Sequence, residues 1–153
     1  GPQAQTFTDD RKPRRNDTRQ SHQAEAPSAL KTRFHAGSKY NGFQLCLGTT
    51  AEGLKEPRTE VLPIVEYLAR RGKIHQIHMR NIRGGLHNFA EVFPDEGEMD
   101  FLEILRILRD VQFPGALCPD HMPTHPDDPG GLQAFAFGYG YIRALIQAVN
   151  SEV

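Results

Sequence analysis

Cysteine, net charge and long apolar runs are all scarce in this 153-residue chain. Its two cysteines, Cys46 and Cys118, are too few for a disulfide framework, and each lies in an apolar run that suits a buried thiol or a metal thiolate. The formal net charge of -1 gives no electrostatic reason to expect nucleic acid or an anionic membrane as a partner. No apolar run approaches the roughly 20 residues of a membrane span, and the N-terminus lacks the apolar core of a signal peptide, so we expect a cytoplasmic protein.

The composition divides the chain into a polar leading segment and a globular remainder. Overall, 38% hydrophobic and 24% charged residues are ordinary for a soluble domain. Residues 1–36 contain a mixed-charge run from Asp9 to Asp17 and few aliphatic side chains, so they bury too little apolar surface to offset the entropy of ordering. We predict that residues 1–36 are a disordered or unrelated tail and that residues 37–153 form the folded part.

The folded part alternates between strand-like and helix-like patterns. Strands are predicted at residues 43–47, 73–79 and 116–119, and helices at residues 59–71, 99–111 and 132–149. A loop containing Gly84 and Gly85 is predicted after the second strand. The order β-α-β-α-β-α is typical of an α/β fold with parallel strands, and three such units would be part of a closed (β/α)8 barrel.

The three predicted strands are each associated with side chains that commonly bind metals. Cys46 lies near the end of the first predicted strand, His75 and His78 lie in the second, and residues 118–128 hold two histidines and three aspartates. Parallel strands in a barrel build metal sites where their carboxyl ends converge. Because His75 and His78 are three residues apart, they face opposite sides of a strand and cannot both line one pocket.

Several of these segments resemble a known enzyme family. They are residues 41–49 (NGFQLCLGT), 73–81 (KIHQIHMRN), 89–92 (FAEV), 95–100 (DEGEMD) and 119–121 (PDH). In this order and spacing they are similar to the C-terminal half of D-mannonate dehydratases, from about Gly37 onward. The resemblance implies a xylose isomerase-like (β/α)8 barrel that removes water from a sugar acid, D-mannonate, to give 2-keto-3-deoxygluconate. Manganese is the implied metal, with Fe²⁺ or Mg²⁺ as alternatives.

The resemblance also implies roles for individual residues. Cys46, His78 and Asp120 match the family's thiolate, imidazole and carboxylate metal ligands, and His121 matches a residue expected to transfer protons. Histidine suits that role because it titrates near neutral pH.

Two further residues complete the predicted site. Arg80 could clamp the substrate carboxylate through a bidentate pair. A catalytic tyrosine implied near Gly131 is replaced there, and we assign that role to Tyr139, with Tyr141 as the alternative.

Each candidate also has a purely structural interpretation. Cys46 could be a small buried hydrophobic residue, and Asp120 could accept backbone hydrogen bonds in a turn. The segment 125–130 (HPDDPG) reads equally well as a loop. It follows the last ligand strand, so it does not correspond to the His-Pro-Asp-Asp-Pro segment that supplies a further histidine ligand from an earlier strand in the family.

Three functions therefore remain open. The first is a mannonate dehydratase-like lyase, of which this chain could be an incomplete form with little or no turnover. The second is an inactive barrel half that only binds metal or oligomerises, and the third is a xylose isomerase-like sugar isomerase. A three-stranded open sheet exposes strand edges, so we also expect a homo-oligomer.

Overall fold

A computed structural model describes residues 38–152 of the chain. In chain order, the elements are β1 (Phe43–Cys46), α1 (Leu47–Glu52), α2 (Pro57–Ala69), β2 (Ile74–His78), β3 (Asn81–Gly85), β4 (Asn88–Val92), α3 (Phe101–Asp110), β5 (Ala116–Cys118) and α4 (Leu132–Ser151). The predicted tail, residues 1–36, lies outside the described residues.

Three strands form a parallel sheet in the order β1-β2-β5, as the alternating pattern predicts. Leu45 of β1 pairs with Ile77 of β2, which pairs with Leu117 of β5. Residues opposite one another on adjacent strands share a face of the sheet. These three are at most 8% exposed, so they define an apolar face.

The opposite face of the same sheet is polar. The next row of register partners runs from Cys46 through His78 to Cys118, and all three side chains are partly exposed. Gln44 and Gln76 form the row before it. The C-terminal row of this polar face therefore places a thiol, an imidazole and a second thiol side by side.

Helices cover the apolar face and complete the core. Val65 of α2, Ile104 and Leu105 of α3 and Ile146 of α4 belong to the same buried cluster as the sheet residues. The first residue of α2 is Pro57, where a proline is tolerated because the first helical N–H has no intrahelical partner. Asp100 begins α3 by accepting hydrogen bonds from the backbone N–H groups of Leu102 and Glu103.

Two elements differ from the sequence-based expectation. The loop predicted around Gly84 and Gly85 is an antiparallel hairpin of β3 and β4, whose turn places His87 at a φ of 65°. Such a φ favours Gly or Asn, so the sequence carries no ordinary hairpin signal at this turn. The short helix α1 was also missed, because six residues are too few to show a helical period.

Candidate metal centre

Three potential metal ligands meet at the carboxyl end of the parallel sheet. Cys46 is the last residue of β1, His78 is the last residue of β2, and Asp120 lies two residues beyond β5. One ligand atom from each residue lies within 4.8 Å of those of the other two. Asp120 Oδ2 is 3.1 Å from His78 Nδ1 and 3.9 Å from Cys46 Sγ. The structure thus brings together the three residues that the resemblance assigns to metal binding.

Neighbouring groups fix the orientation of these side chains. Cys46 caps α1, since its Sγ accepts a hydrogen bond from Thr49 N at 3.4 Å. The amide Nε2 of Gln44 contacts the imidazole of His78 on the same face of the sheet. His75 lies at the other end of β2, where its ring packs beside Gly42.

Arg80 is held by two carboxylates next to this cluster. Its Nε donates to Glu91 Oε1 at 2.7 Å, and its Nη1 donates to Glu52 Oε1 at 2.5 Å. The residue is only 9% exposed. Burial acts to lower the pKa of Arg80, but the hydrogen bonds and charges of Glu91 and Glu52 outweigh it and raise that pKa overall. A bidentate substrate clamp would have to share the guanidinium with both carboxylates.

His121 lies between two acidic side chains. Its Nδ1 is 3.4 Å from Glu91 Oε1, and its Nε2 is 3.6 Å from Asp120 Oδ2. The imidazole side chain is 60% exposed, so it is accessible from the polar face. His121 therefore adjoins Asp120, one of the three ligand residues, and its exposed ring can reach a molecule bound there.

A family comparison identifies the relationship implied by these residues. The family model described as D-mannonate dehydratase (UxuA) matches residues 27–153. The chain belongs to the D-mannonate dehydratase family. The family match begins at residue 27, N-terminal to Gly37, the residue from which the sequence motifs indicate the resemblance.

Individual members of the D-mannonate dehydratase family are similar over most of this chain. A mannonate dehydratase of Streptococcus pneumoniae (strain 70585) is 32% identical over 118 residues, or 72% of this chain and 31% of the relative. One from Streptococcus uberis is 34% identical over 119 residues, with 73% and 33% coverage.

A solved structure of a mannonate dehydratase has a similar fold over most of this chain. The crystal structure of mannonate dehydratase from Streptococcus suis serotype 2 matches with a TM-score of 0.62 and 29% identity, over 73% of this chain and 33% of that one. The chain thus spans about a third of the length of these mannonate dehydratases.

Tyr139 is not joined to the cluster by any hydrogen bond within residues 38–152. It lies in α4 and is 38% exposed. The adjacent Gly138 lets α4 pack closely against the segment that carries Asp120, because a Cβ at residue 138 would lie within 3.1 Å of Met122 and Pro119. The helix carrying Tyr139 therefore packs next to Asp120, while its catalytic role stays a prediction.

The aspartates after Asp120 have other surroundings. Asp128 caps α4 by accepting hydrogen bonds from the backbone N–H groups of Ala134 and Gln133. Together with His125 and Phe137 it lines a cavity of about 410 Å³ that includes none of the three ligand residues. The loop interpretation of residues 125–130 is consistent with this position.

The sequence pattern indicates no site role for Gln44, Glu52 or Glu91. Each of the three contacts a residue of the predicted site, namely Arg80 or His78. Glu52 lies in the overlooked helix α1 and Glu91 in the overlooked hairpin, so no periodic pattern pointed to them.

Within the described residues, no helix is long and apolar enough to cross a membrane.

Proposed function

We propose that this chain supplies the metal ligands and a proton-transfer group of a mannonate dehydratase, which removes water from D-mannonate to give 2-keto-3-deoxygluconate. The observation that carries the proposal is the convergence of Cys46, His78 and Asp120 within 4.8 Å. Family membership supports the reaction and its sugar-acid substrate.

The donor set fits a divalent transition metal. A site of sulfur, imidazole nitrogen and carboxylate oxygen suits a transition metal, among which the family resemblance implies Mn²⁺ or Fe²⁺, whereas a thiolate is a poor ligand for Mg²⁺. We propose Mn²⁺ held by Cys46, His78 and Asp120. When bound, such a cation supplies Lewis-acid stabilisation of negative charge on substrate oxygen.

The protein side chains would handle the protons. Dehydration removes a proton from the carbon next to the substrate carboxylate and a hydroxyl from the following carbon. The departing hydroxyl leaves as water if it receives a proton, and we assign that donation to the Nε2–H of doubly protonated His121, which leaves the neutral Nδ1–H ring. The enol formed then takes up a proton at the carbon that lost the hydroxyl and becomes the keto acid. We assign proton transfer also to Tyr139 and substrate binding to Arg80, whose Nη2 takes part in no hydrogen bond within residues 38–152.

The parallel sheet is proposed to be part of a (β/α)8 barrel. Its polar face would then line the barrel interior and its apolar face would meet the outer helices, as observed for α2, α3 and α4. Within residues 38–152 no strand pairs with the outer side of β1 or β5, so further strands could extend the sheet there. We propose that the protein is a homo-oligomer, and a native mass measurement would test this.

Ligand substitutions test the proposed function. In a complete enzyme, Asp120→Asn and His78→Ala should each abolish Mn²⁺-dependent formation of the keto-deoxy acid. In this chain, where we expect little or no turnover, each should weaken Mn²⁺ binding by more than about 100-fold, since even outer-shell partners cost about 10–100-fold. Isothermal titration calorimetry and a product assay with a panel of aldonic and uronic acids would measure both effects.

A matched pair of thiol variants controls this test. Cys46 and Cys118 lie in one row of the sheet, but only Cys46 belongs to the ligand group. Cys46→Ser should weaken Mn²⁺ binding, whereas Cys118→Ser should not. Equal effects of the two substitutions, or full metal binding in both Asp120→Asn and His78→Ala, would contradict the ligand assignment.

A metal-binding module without turnover is the second candidate. It is favoured by the ligand count, because the described residues offer three ligands and not the further histidine that the family resemblance implies. Tight Mn²⁺ binding without product from any acid in the panel would support this alternative. An isomerised sugar as the product would instead support the isomerase.

A further inference from the structure

A single carboxylate connects buried Arg80 with exposed His121. Glu91 Oε1 accepts a hydrogen bond from Arg80 Nε at 2.7 Å, and the same oxygen lies 3.4 Å from His121 Nδ1. Glu91 is in β4, whereas Arg80 follows β2 and His121 follows β5. The contact therefore joins the hairpin to the ends of two strands of the parallel sheet.

Arg80 itself has little freedom to move. Its side chain is 10% exposed and is held on the other side by Glu52 of α1. Gly48 leaves the space that the side chain occupies, since a Cβ there would lie 2.8 Å from Arg80 Cγ and Cδ. A guanidinium held at two of its nitrogens in a buried position fixes the carboxylates that it contacts.

The two nitrogens of His121 have different neighbours. Nε2 faces Asp120, whose carboxylate is committed to the metal if the proposed ligand set is correct. Nδ1 faces Glu91, which is not in the ligand group. A carboxylate that accepts from one ring nitrogen sets the tautomer and the orientation of the ring, leaving the other nitrogen for chemistry.

We propose that Glu91 is a positioning residue for His121. Held by Arg80, the Glu91 carboxylate attracts His121 Nδ1–H, which it faces at 3.4 Å, and so directs Nε2 towards the space beside the metal ligands. The inference rests on the proposed function for the role of His121, but the orientation itself is a property of this chain. Glu91 touches no reacting atom and acts through the imidazole.

The tautomer of His121 tests the orientation without any turnover. Long-range ¹H–¹⁵N spectra of the neutral ring, recorded in the pH range where its chemical shifts no longer change, should show the Nδ1–H form in the unsubstituted chain. In Glu91→Ala the signals should shift towards the Nε2–H form. A His121→Asn variant assigns the resonances, and Glu66→Gln, which removes an exposed carboxylate of α2, is the matched control.

Kinetics separate positioning from metal binding. Glu91→Gln keeps the shape of the side chain and should lower kcat by about 10–100-fold, the range found for carboxylate partners of metal-binding histidines, while the Mn²⁺ affinity stays within about threefold. Glu91→Asp, which retains the charge, should recover part of kcat. Circular dichroism checks folding. If Glu91→Ala does not fold, Glu91→Leu, which also lacks an acceptor, carries the tautomer measurement and Glu91→Gln carries the kinetic one.

The outcomes distinguish the two proposals. A change of the His121 tautomer on Glu91 substitution supports positioning whether or not the chain turns over substrate, whereas Mn²⁺ binding that Asp120→Asn and His78→Ala leave unchanged contradicts the proposed function and not positioning. An unchanged tautomer in a folded variant, or unchanged kcat in an active one, overturns positioning whatever the function. A parallel loss of Mn²⁺ affinity would also overturn it, because Glu91 would then act on the metal ligands.

Discussion

The two faces of the parallel sheet are built from the same strands but differ in burial and in chemistry. On one face, Leu45, Ile77 and Leu117 are buried under helices and contribute packing. On the other face, Cys46, His78 and Cys118 are partly exposed, and Asp120 adds a carboxylate beside them. Within residues 38–152, helices cover the apolar face, whereas the polar face brings together the three proposed metal ligands. Stability and metal binding should therefore respond to different substitutions.

Removing the central side chain of the apolar face should have the largest effect on stability. Ile77 is 0% exposed and contacts both neighbouring strands through its register partners. Ile77→Ala should lower the free energy of unfolding by about 3 kcal/mol, and Ile77→Val by about 1 kcal/mol, because lost transfer energy and a residual cavity add. Urea unfolding measures both values. A loss of unfolding free energy well below 1 kcal/mol in Ile77→Ala would show that this face is not packed. The folded fraction of Ile77→Ala should still bind Mn²⁺.

Bound metal should stabilise the folded chain by an amount comparable to the loss in Ile77→Ala, but only while free metal is present. At a free Mn²⁺ concentration of about 100 times Kd, the free energy of unfolding should rise by about 2.7 kcal/mol, since the ion binds only the folded state. A chelator should reverse the gain, and Cys46→Ser should reduce it. Differential scanning calorimetry with and without the metal measures the shift. An equal gain in Asp120→Asn would place the ion elsewhere.

The smallest effect should come from the cap of α4, outside both faces. Backbone hydrogen bonds from Ala134 and then Gln133 lower the pKa of Asp128. A depressed pKa in the folded state means that this stabilisation is present above the unfolded pKa, near 4, and is lost as pH falls through the folded value. Between about pH 5 and pH 2, the unsubstituted chain should therefore lose slightly more stability than Asp128→Asn.

Asp127→Asn is the control for that comparison. Asp127 is the neighbouring residue, its side chain is 92% exposed, and its carboxylate accepts no backbone hydrogen bond within residues 38–152. Thermal unfolding as a function of pH should show the acid response unchanged in Asp127→Asn. The same response in Asp127→Asn and Asp128→Asn would mean that the cap does not set the pH dependence.

Regular periodicity made most of the secondary structure predictable. The strands around Leu45, Ile77 and Leu117 and the helices α2, α3 and α4 all appear within a few residues of their predicted bounds. Each is long enough, or apolar enough, to show a period of 2 or 3.6 residues. The hairpin and α1 were not predictable in this way, because one turns at His87 and the other has six residues.

The candidate site was predictable in its residue types but not in its contacts. Cys46, His78 and Asp120 were identified through their motifs, and the structure brings them together. The pairing of Arg80 with Glu52 and Glu91 was not foreseen, because neither carboxylate follows a periodic pattern and both belong to overlooked elements. The predicted clamp by Arg80 and the role of Tyr139 remain predictions.

The sequence by itself determined which segments form strands and helices, because local spacing of apolar side chains sets secondary structure. It also determined that a thiol, an imidazole and a carboxylate stand at the strand ends. Only the tertiary structure decided that Cys46 and Asp120, 74 positions apart, lie within 4 Å. Distance along the chain does not limit distance in space once parallel strands pair in register, and that pairing depends on contacts across the whole sheet.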